Sequence, residues 1–330
     1  MEEFRFVILG AGNIAARFCD AVCHVKNCRV SAVASKSLER AKQFAQNNQI
    51  EHFYGSYEEM LDIEKPDGAY IAVTPNDHYR LTMMCLERKI PVLCEKAMFQ
   101  NSGEAKKAFD FAREQQTFVM EAMWSRFLPA VRHTGEWLRE GKIGQPALAR
   151  FTIGFCAPED ENNRYYNPKL GGGAAKDITV YAYELTTYLL EQKVQELCAN
   201  ADWSTTGVDL TDHVSIRFEH TMADLMATFE ANVEDQMILY GKKGKIVLPC
   251  PHYASECFLY GEDGQLLEHF QDETTVNGFT YEIEEVISCV RKGKTESEVV
   301  PHQVTLDCAK LFDQIGKTGK KKREQRNEQD

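Results

Sequence analysis

Phe4-Arg5-Phe6-Val7-Ile8-Leu9-Gly10-Ala11-Gly12-Asn13-Ile14-Ala15 is the stretch on which the fold turns. Phe4–Leu9 is short, almost wholly apolar and stops at a glycine, as a strand buried on both faces does. A G-x-G-x-x-A segment follows and opens an amphipathic run. In that setting Gly10 permits a tight turn, Gly12 lets the backbone approach a pyrophosphate, and Ala15 lets helix and strand pack closely. The phosphates would sit at a helix N-terminus, where free N–H groups and the helix dipole favour anions. Two glycines alone are a weak signal, because plain turns use them too. Their place between a strand and a helix, at the start of a βαβ unit, makes them a dinucleotide-binding signal.

Working outward, Arg29–Ser35, Ala69–Val73, Pro91–Cys94 and Thr117–Met120 read as further strands. Helical stretches around Tyr79–Arg88 and over Ser102–Gln115 separate the later ones. Strands alternating with helices predict right-handed crossovers and an α/β Rossmann domain with a doubly wound parallel sheet, over residues 1–120. The rhythm then changes. A helix, Ala130–Glu140, stops at Gly141, and Ala147–Phe155 reads as a long strand. A polar loop through Asn162, Asn163 and Pro168 leads to Gly171-Gly172-Gly173 and a helix over Ala174–Leu190. Alternating segments such as His213–Glu219 and Ala223–Glu230, with turns at Gly241, Gly244, Gly261 and Gly264, predict a large, mostly antiparallel open sheet. Helices over Tyr281–Arg291 and His302–Ile315 would close this α+β substrate and oligomerisation domain, residues 121–316. The charged, glycine-broken tail 317–330 is expected to fray.

Composition narrows the function. A chain of 330 residues with 43% hydrophobic and 27% charged residues suits two globular domains. Its net charge of −12 argues against nucleic acid as a partner. No apolar run reaches membrane-spanning length, and Met1-Glu2-Glu3-Phe4 has no basic region followed by an apolar one, so a cytoplasmic protein is expected, off the membrane. Eleven cysteines, an odd count without a CxxC pair, read as free thiols in a reducing compartment. With no HExxH either, no metal site is expected.

The second strand ends Val33-Ala34-Ser35-Lys36-Ser37, with Arg40 a helical turn beyond. A site for NAD usually places an acidic residue there, to accept from the ribose 2′-hydroxyl. A small hydroxyl and two cations suit a 2′-phosphate instead, so Ser35, Lys36 and Arg40 predict NADP over NAD. The competing reading makes Lys36 and Arg40 solvated charges at a helix start. Elsewhere, Val92-Leu93-Cys94 runs into Glu95-Lys96 at the strand end where doubly wound sheets place their chemistry. Asp177 and Tyr181 lie four apart, on one face of a helix.

With these motifs in view the chain resembles the Gfo/Idh/MocA oxidoreductases. The resemblance rests on the Gly10–Ala15 segment, Thr74-Pro75-Asn76, Cys94-Glu95-Lys96, Glu121–Phe127 with Trp124 and Arg126, Gly141-Lys142-Ile143-Gly144, the Gly171–Tyr181 segment and Gly278-Phe279-Thr280-Tyr281-Glu282. It points to the branch containing dimeric dihydrodiol dehydrogenase and NADP-dependent xylose dehydrogenase. It implies hydride transfer between NADP(H) and a secondary alcohol or carbonyl of a sugar, cyclitol or vicinal diol. Cofactor contacts would then come from Gly10, Gly12, Asn13, Ile14, Thr74, Pro75, Asn76, Glu95 and Lys96, with His78 as a further candidate. By the same resemblance Tyr181 would be the acid/base, Lys96 would favour its phenolate, and Asp177 would orient Lys96 or the substrate hydroxyls. Trp124, Arg126, Phe155 and Phe279 would wall the substrate.

Three positions depart from the family pattern: Ala97 replaces a usual proline, Lys176 an apolar residue and Thr179 a common glycine. They point to altered substrate choice, or to a non-catalytic NADP-binding sensor or regulatory protein on the same fold. An open sheet face needs cover, and the resemblance implies that subunits pair there, as a homodimer or homotetramer.

Overall fold

The computed structural model describes residues 2–327. The chain forms two compact units, residues 2–124 with Val276–Leu306, and Ser125–Thr275 with residues 307–327. The change of rhythm near residue 120 therefore falls close to the first division. Val276–Leu306 belongs to the first unit, whereas the sequence reading puts it in the second domain, 121–316; the return depends on contacts rather than on periodicity.

The first unit holds a parallel sheet of β1 (Phe4–Leu9), β2 (Cys28–Ala34), β3 (His52–Tyr54), β4 (Gly68–Ile71), β5 (Val92–Glu95) and β6 (Val119–Ala122), in the order β3-β2-β1-β4-β5-β6. Between them run α1 (Asn13–Cys23), α2 (Leu38–Asn47), α3 (Tyr57–Glu64), α4 (Pro75–Glu87) and α5 (Ser102–Gln115). Every residue of β4, β5 and β6 is buried, Glu95 and Glu121 included, so these strands show no alternation of buried and exposed positions. Helix starts are set locally. Ser37, Ser56 and Asn101 each accept a main-chain N–H of the first turn through the side chain, and Pro75 opens α4.

The second unit begins with a short 3₁₀ turn and α6 (Pro129–Arg139). Its sheet then gathers β7 (Pro146–Gly154), β8 (Val194–Trp203), β9 (Asp209–Phe218), β10 (Met222–Thr228), β11 (Gln236–Gly241), β12 (Gly244–Pro249), β13 (Glu256–Gly261) and β14 (Leu266–Gln271). The order is β14-β13-β12-β11-β7-β10-β9-β8. Only the β7–β10 pair is parallel; every other neighbour runs antiparallel. A π-helical turn, Ala175–Thr179, runs without a break into α7 (Val180–Leu190). Helices α6 and α7 cover one face of the sheet. On β10 Ala223, Leu225 and Ala227 are buried, while Met222 and Met226 are 46% and 43% exposed on the other face.

Helix α8 (Phe279–Arg291) packs on α1, and Asn277 Nδ2 ties its start to Arg17 O (3.1 Å) and Asp20 Oδ2 (2.8 Å). Helix α9 (His302–Asn327) continues well past the expected end at Ile315. The expected frayed tail is therefore helical through Asn327, and 328–330 lie outside the described residues. Its run of Lys, Arg, Glu and Gln consists of good helix formers. Trp203 Nε1 also donates to Thr318 Oγ1 at 3.0 Å, anchoring the extension.

In the core of the second unit Arg126 and Glu184 form a fully buried ion pair at 2.7 Å, with side-chain exposures of 2% and 0%. Removing one partner strands the other charge. Arg126→Met is expected to cost the second unit about 3–5 kcal/mol, and Arg126→Met/Glu184→Leu to recover most of it. Denaturant midpoints of the three proteins check this; equal midpoints for the single and unmodified forms would refute it.

Candidate functional site

Gly10 follows β1 at φ +117°, and a Cβ there would lie 2.3 Å from the Ala72 carbonyl oxygen. Glycine is required on both counts. Gly12 differs: a Cβ would meet nothing within 4 Å. Open space over a main chain that caps α1 suits the close approach of a ligand phosphate. Ala15 is fully buried beneath it, while Asn13 is exposed and Ile14 half-buried.

The end of β2 lies beside this loop. Arg40 Nη2 reaches back to Ala11 O at 3.5 Å, and Ser35 is buried with its hydroxyl accepting from Ser37 N at 3.4 Å. Lys36 Nζ is 2.6 Å from Asp77 Oδ2, and Arg80 stands 3.5 Å from the same carboxylate. Burial pushes Asp77 up, but the two cations outweigh it and hold the carboxyl below its usual range. Asp77, which pairs with the candidate cofactor residue Lys36, is passed over by the sequence reasoning. Its signal was there, since it sits in the first turn of the helix that Thr74-Pro75-Asn76 opens. Thr74 and Asn76 are exposed at that helix start.

Two expected cofactor contacts are interior instead. His78 is fully buried, with Nδ1 3.0 Å from Ala97 O and Nε2 3.1 Å from Val73 O. Burial pushes its pKa down, so the ring is neutral and donates to one of the two carbonyls. It ties the entry of α4 to the segment after Lys96. Glu95 is buried too, and accepts from the Tyr70 hydroxyl. Burial raises its pKa, against the Tyr70 hydrogen bond and the Lys96 charge. Glu282 on α8 is wholly buried nearby; burial first, then Glu95, pushes it well above the carboxylate range. Lys96 thus follows a strand end set over acid groups that favour their neutral forms. The Lys96–Ala97 peptide bond is cis.

Tyr181 and Asp177 belong to the second unit. Tyr181 is 8% exposed, and its ring centre lies 5.2 Å from that of His252. His252 Nδ1 is 3.2 Å from Asp235 Oδ2, and Ser125 Oγ donates to its carbonyl at 2.7 Å. Both oxygens of Asp177 accept from Arg164, at 3.3 Å each. The guanidinium also covers the Tyr165 ring at 4.2 Å. Arg164 and His252 were missed in the sequence: one lies in a polar loop, the other on a distant turn, and neither carries a periodic or spacing signal.

The expected substrate wall divides. Trp124 and Phe279 meet edge-on in the first unit at 5.2 Å. Phe155, in the second, packs on Tyr165 and Phe229, each at 5.3 Å or less. Arg126 leaves the wall: its guanidinium is buried against Glu184, also donating to the Glu184 main-chain oxygen at 2.7 Å. All eleven cysteines are free thiols. Among the described residues no cluster of three or more His, Cys, Asp or Glu could hold a metal ion, and no helix is long and apolar enough to cross a membrane.

Residues 4–123 match the model of an oxidoreductase family with an NAD-binding Rossmann fold, and 131–247 match the C-terminal domain of the same family. The trans-1,2-dihydrobenzene-1,2-diol dehydrogenase of Danio rerio is 30% identical, over 94% of this chain and 95% of that protein. The enzyme of that name from Mus musculus is 32% identical, over 90% and 91%. The solved structure of aldose-aldose oxidoreductase from Caulobacter crescentus, complexed with glycerol, covers 97% of this chain and 98% of its own. Its TM-score is 0.87 at 18% identity, which is a likeness of fold. With both domains matched and near-full-length relatives at this identity, the chain belongs to the Gfo/Idh/MocA family of oxidoreductases.

Proposed function

We propose that the protein is an NADP(H)-dependent dehydrogenase or reductase acting on a secondary alcohol or carbonyl of a sugar, cyclitol or vicinal diol. The reading is carried by Arg40, which reaches back to Ala11 in the glycine loop with Ser35 and Lys36 at the adjacent strand end. Those groups would hold a 2′-phosphate, while the main chain over Gly12 receives the pyrophosphate. The vicinal-diol end of the substrate range draws on the diol dehydrogenases that this chain resembles at 30% identity. Its free thiols suit a reducing cytoplasm.

Bound NADP(H) supplies the hydride chemistry. Tyr181 exchanges the proton with the substrate oxygen, and the Lys96 ammonium favours the phenolate that accepts it. Asp177 acts with Arg164 to fix the surroundings of the substrate hydroxyls. Trp124, Phe279 and Phe155 supply apolar wall. The open face bearing Leu148, Met222 and Met226 pairs subunits into a homodimer or homotetramer, which light scattering of the purified protein checks; a monomer at micromolar concentration would refute it.

Cofactor choice tests the first part. NADPH is expected to bind more tightly than NADH, and Lys36→Glu to erode the preference, each charged contact contributing about 1.5–3 kcal/mol. Asp77→Asn frees Lys36 from its ion pair and should widen the preference. Equal affinities in the unmodified protein would defeat the assignment.

Turnover tests the second, after a screen of aldoses, inositols and trans-dihydrodiols with NADP⁺. Tyr181→Phe should lower kcat by roughly 10²–10⁴-fold while leaving cofactor affinity nearly unchanged. Lys96→Met should lower it too and shift the residual activity to higher pH. The double variant should lose much less than the sum of the separate losses. Full turnover in Tyr181→Phe sinks the mechanism. Tight NADPH binding with no turnover across the screen favours the sensor.

A further inference from the structure

Thr179 and Lys176, two of the departures from the family pattern, lead to one buried feature. Asp209 and Asp212 lie three apart on β9, so a regular strand would send them to opposite faces. The pairing of β9 with β8 jumps from Asp202↔Thr211 to Trp203↔Asp209, leaving Leu210 as a bulge, and bulges re-aim side chains. Both aspartates are buried, at 6% and 0% exposure, and each carboxyl acts on the other's titration. Two carboxylates only accept, so a hydrogen bond between them needs a proton.

The surroundings of the two carboxyls differ. Asp209 Oδ2 accepts from Ala175 N at 2.5 Å. Burial raises Asp209, and the Ala175 N–H and the Lys176 ammonium oppose that. Gly173, at φ +118°, lets Asp209 in: a Cβ there would lie 2.5 Å from Oδ1. Asp212 Oδ2 accepts from Thr179 Oγ1 at 2.6 Å, and its buried Oδ1 has no hydrogen-bond partner among the described residues. Burial, then the Asp209 charge, drives Asp212 well above the carboxylate range. Both carboxyls are thus raised, Asp212 the further. Among the elements packed on the pair, the π-helical turn brings the Lys176 cation. The strand neighbours Ala201, Trp203 and Ala227 are uncharged.

We propose that Asp209 and Asp212 share one proton and act as positioning residues for Tyr181, gripping the first and last residues of the π-helical turn, Ala175 and Thr179, that leads into it. The link to turnover rests on the role proposed above for Tyr181; the shared proton does not.

A carboxyl whose pKa is raised by folding contributes stability that is complete below its unfolded value near ~3.9 and is lost as pH rises through the folded value. Asp212→Asn replaces the proton with a permanent N–H donor towards Asp209 and keeps an acceptor for Thr179. It should raise Tm at about pH 8 by about 2–4 °C and flatten the decline of Tm with pH. Asp209→Asn removes the Asp209 charge but not the burial that raises Asp212 most, so it should lessen the decline without abolishing it. If both keep the unmodified slope, there is no shared proton. In turnover assays the alkaline limb of kcat should move to higher pH in Asp212→Asn, with KM following less. A flattened Tm beside an unmoved kcat limb overturns the positioning role. Should no substrate be found, hydrogen exchange over Ala175–Leu190 decides it: after correction for intrinsic rates, protection should fall with rising pH in the unmodified protein and hold in Asp212→Asn. Equal pH dependence in the two proteins overturns the proposal.

Discussion

No side chain fits between Gly10 and the carbonyl of Ala72, and much of the first unit follows from that approach. The two residues follow β1 and β4, the neighbours at which the strand order β3-β2-β1-β4-β5-β6 changes direction. In open α/β sheets ligands bind at such switch points, outside the carboxyl ends of the strands. Pressing the turn onto Ala72 leaves Gly12 at the head of α1 with open space beside it. Thr74-Pro75-Asn76 begins α4 two residues beyond Ala72, and Glu95-Lys96 ends the next strand. One backbone contact thus sets the loop, the helix starts and the lysine at a common edge.

Charge in this molecule divides by depth. Near the surface, Lys36 and Arg80 overcome the burial of Asp77 and keep it ionised. Deeper, desolvation is the larger influence: Glu95, Glu282, Asp209 and Asp212 are all pushed towards their neutral forms. Arg126 and Glu184 are equally deep but pair with each other. Such a pair contributes little net stability over an apolar substitute, yet breaking it is costly, because the remaining ion has nowhere to go.

The parts legible in the sequence were those whose cause is local. β1 and α5 fall on the predicted residues Phe4–Leu9 and Ser102–Gln115, because an apolar run ending at glycine and an asparagine cap are local signals. The glycine loop was legible for the same reason. Glu95 and Arg126 are legible as motif residues and His78 as a histidine beside one, but their burial is not, since burial is a property of the packed unit. The pairing of Lys36 with Asp77, the return of Val276–Leu306 to the first unit and the bulge at Leu210 are likewise products of tertiary contact.

The departures at Thr179 and Lys176 make the same point from the other side. Taken singly, a hydroxyl in place of glycine crowds a helix face, and a lysine in place of an apolar residue adds an unwanted charge. Packed, the hydroxyl donates to Asp212 and the ammonium lies within range of Asp209. A buried acid pair without those partners would leave an acceptor unsatisfied and a charge uncompensated, each costing about 1–3 kcal/mol or more. The two substitutions and the two aspartates are therefore better understood as one polar unit than as four independent changes. A family comparison made position by position would score Thr179 and Lys176 as losses, where the geometry gives each of them a partner.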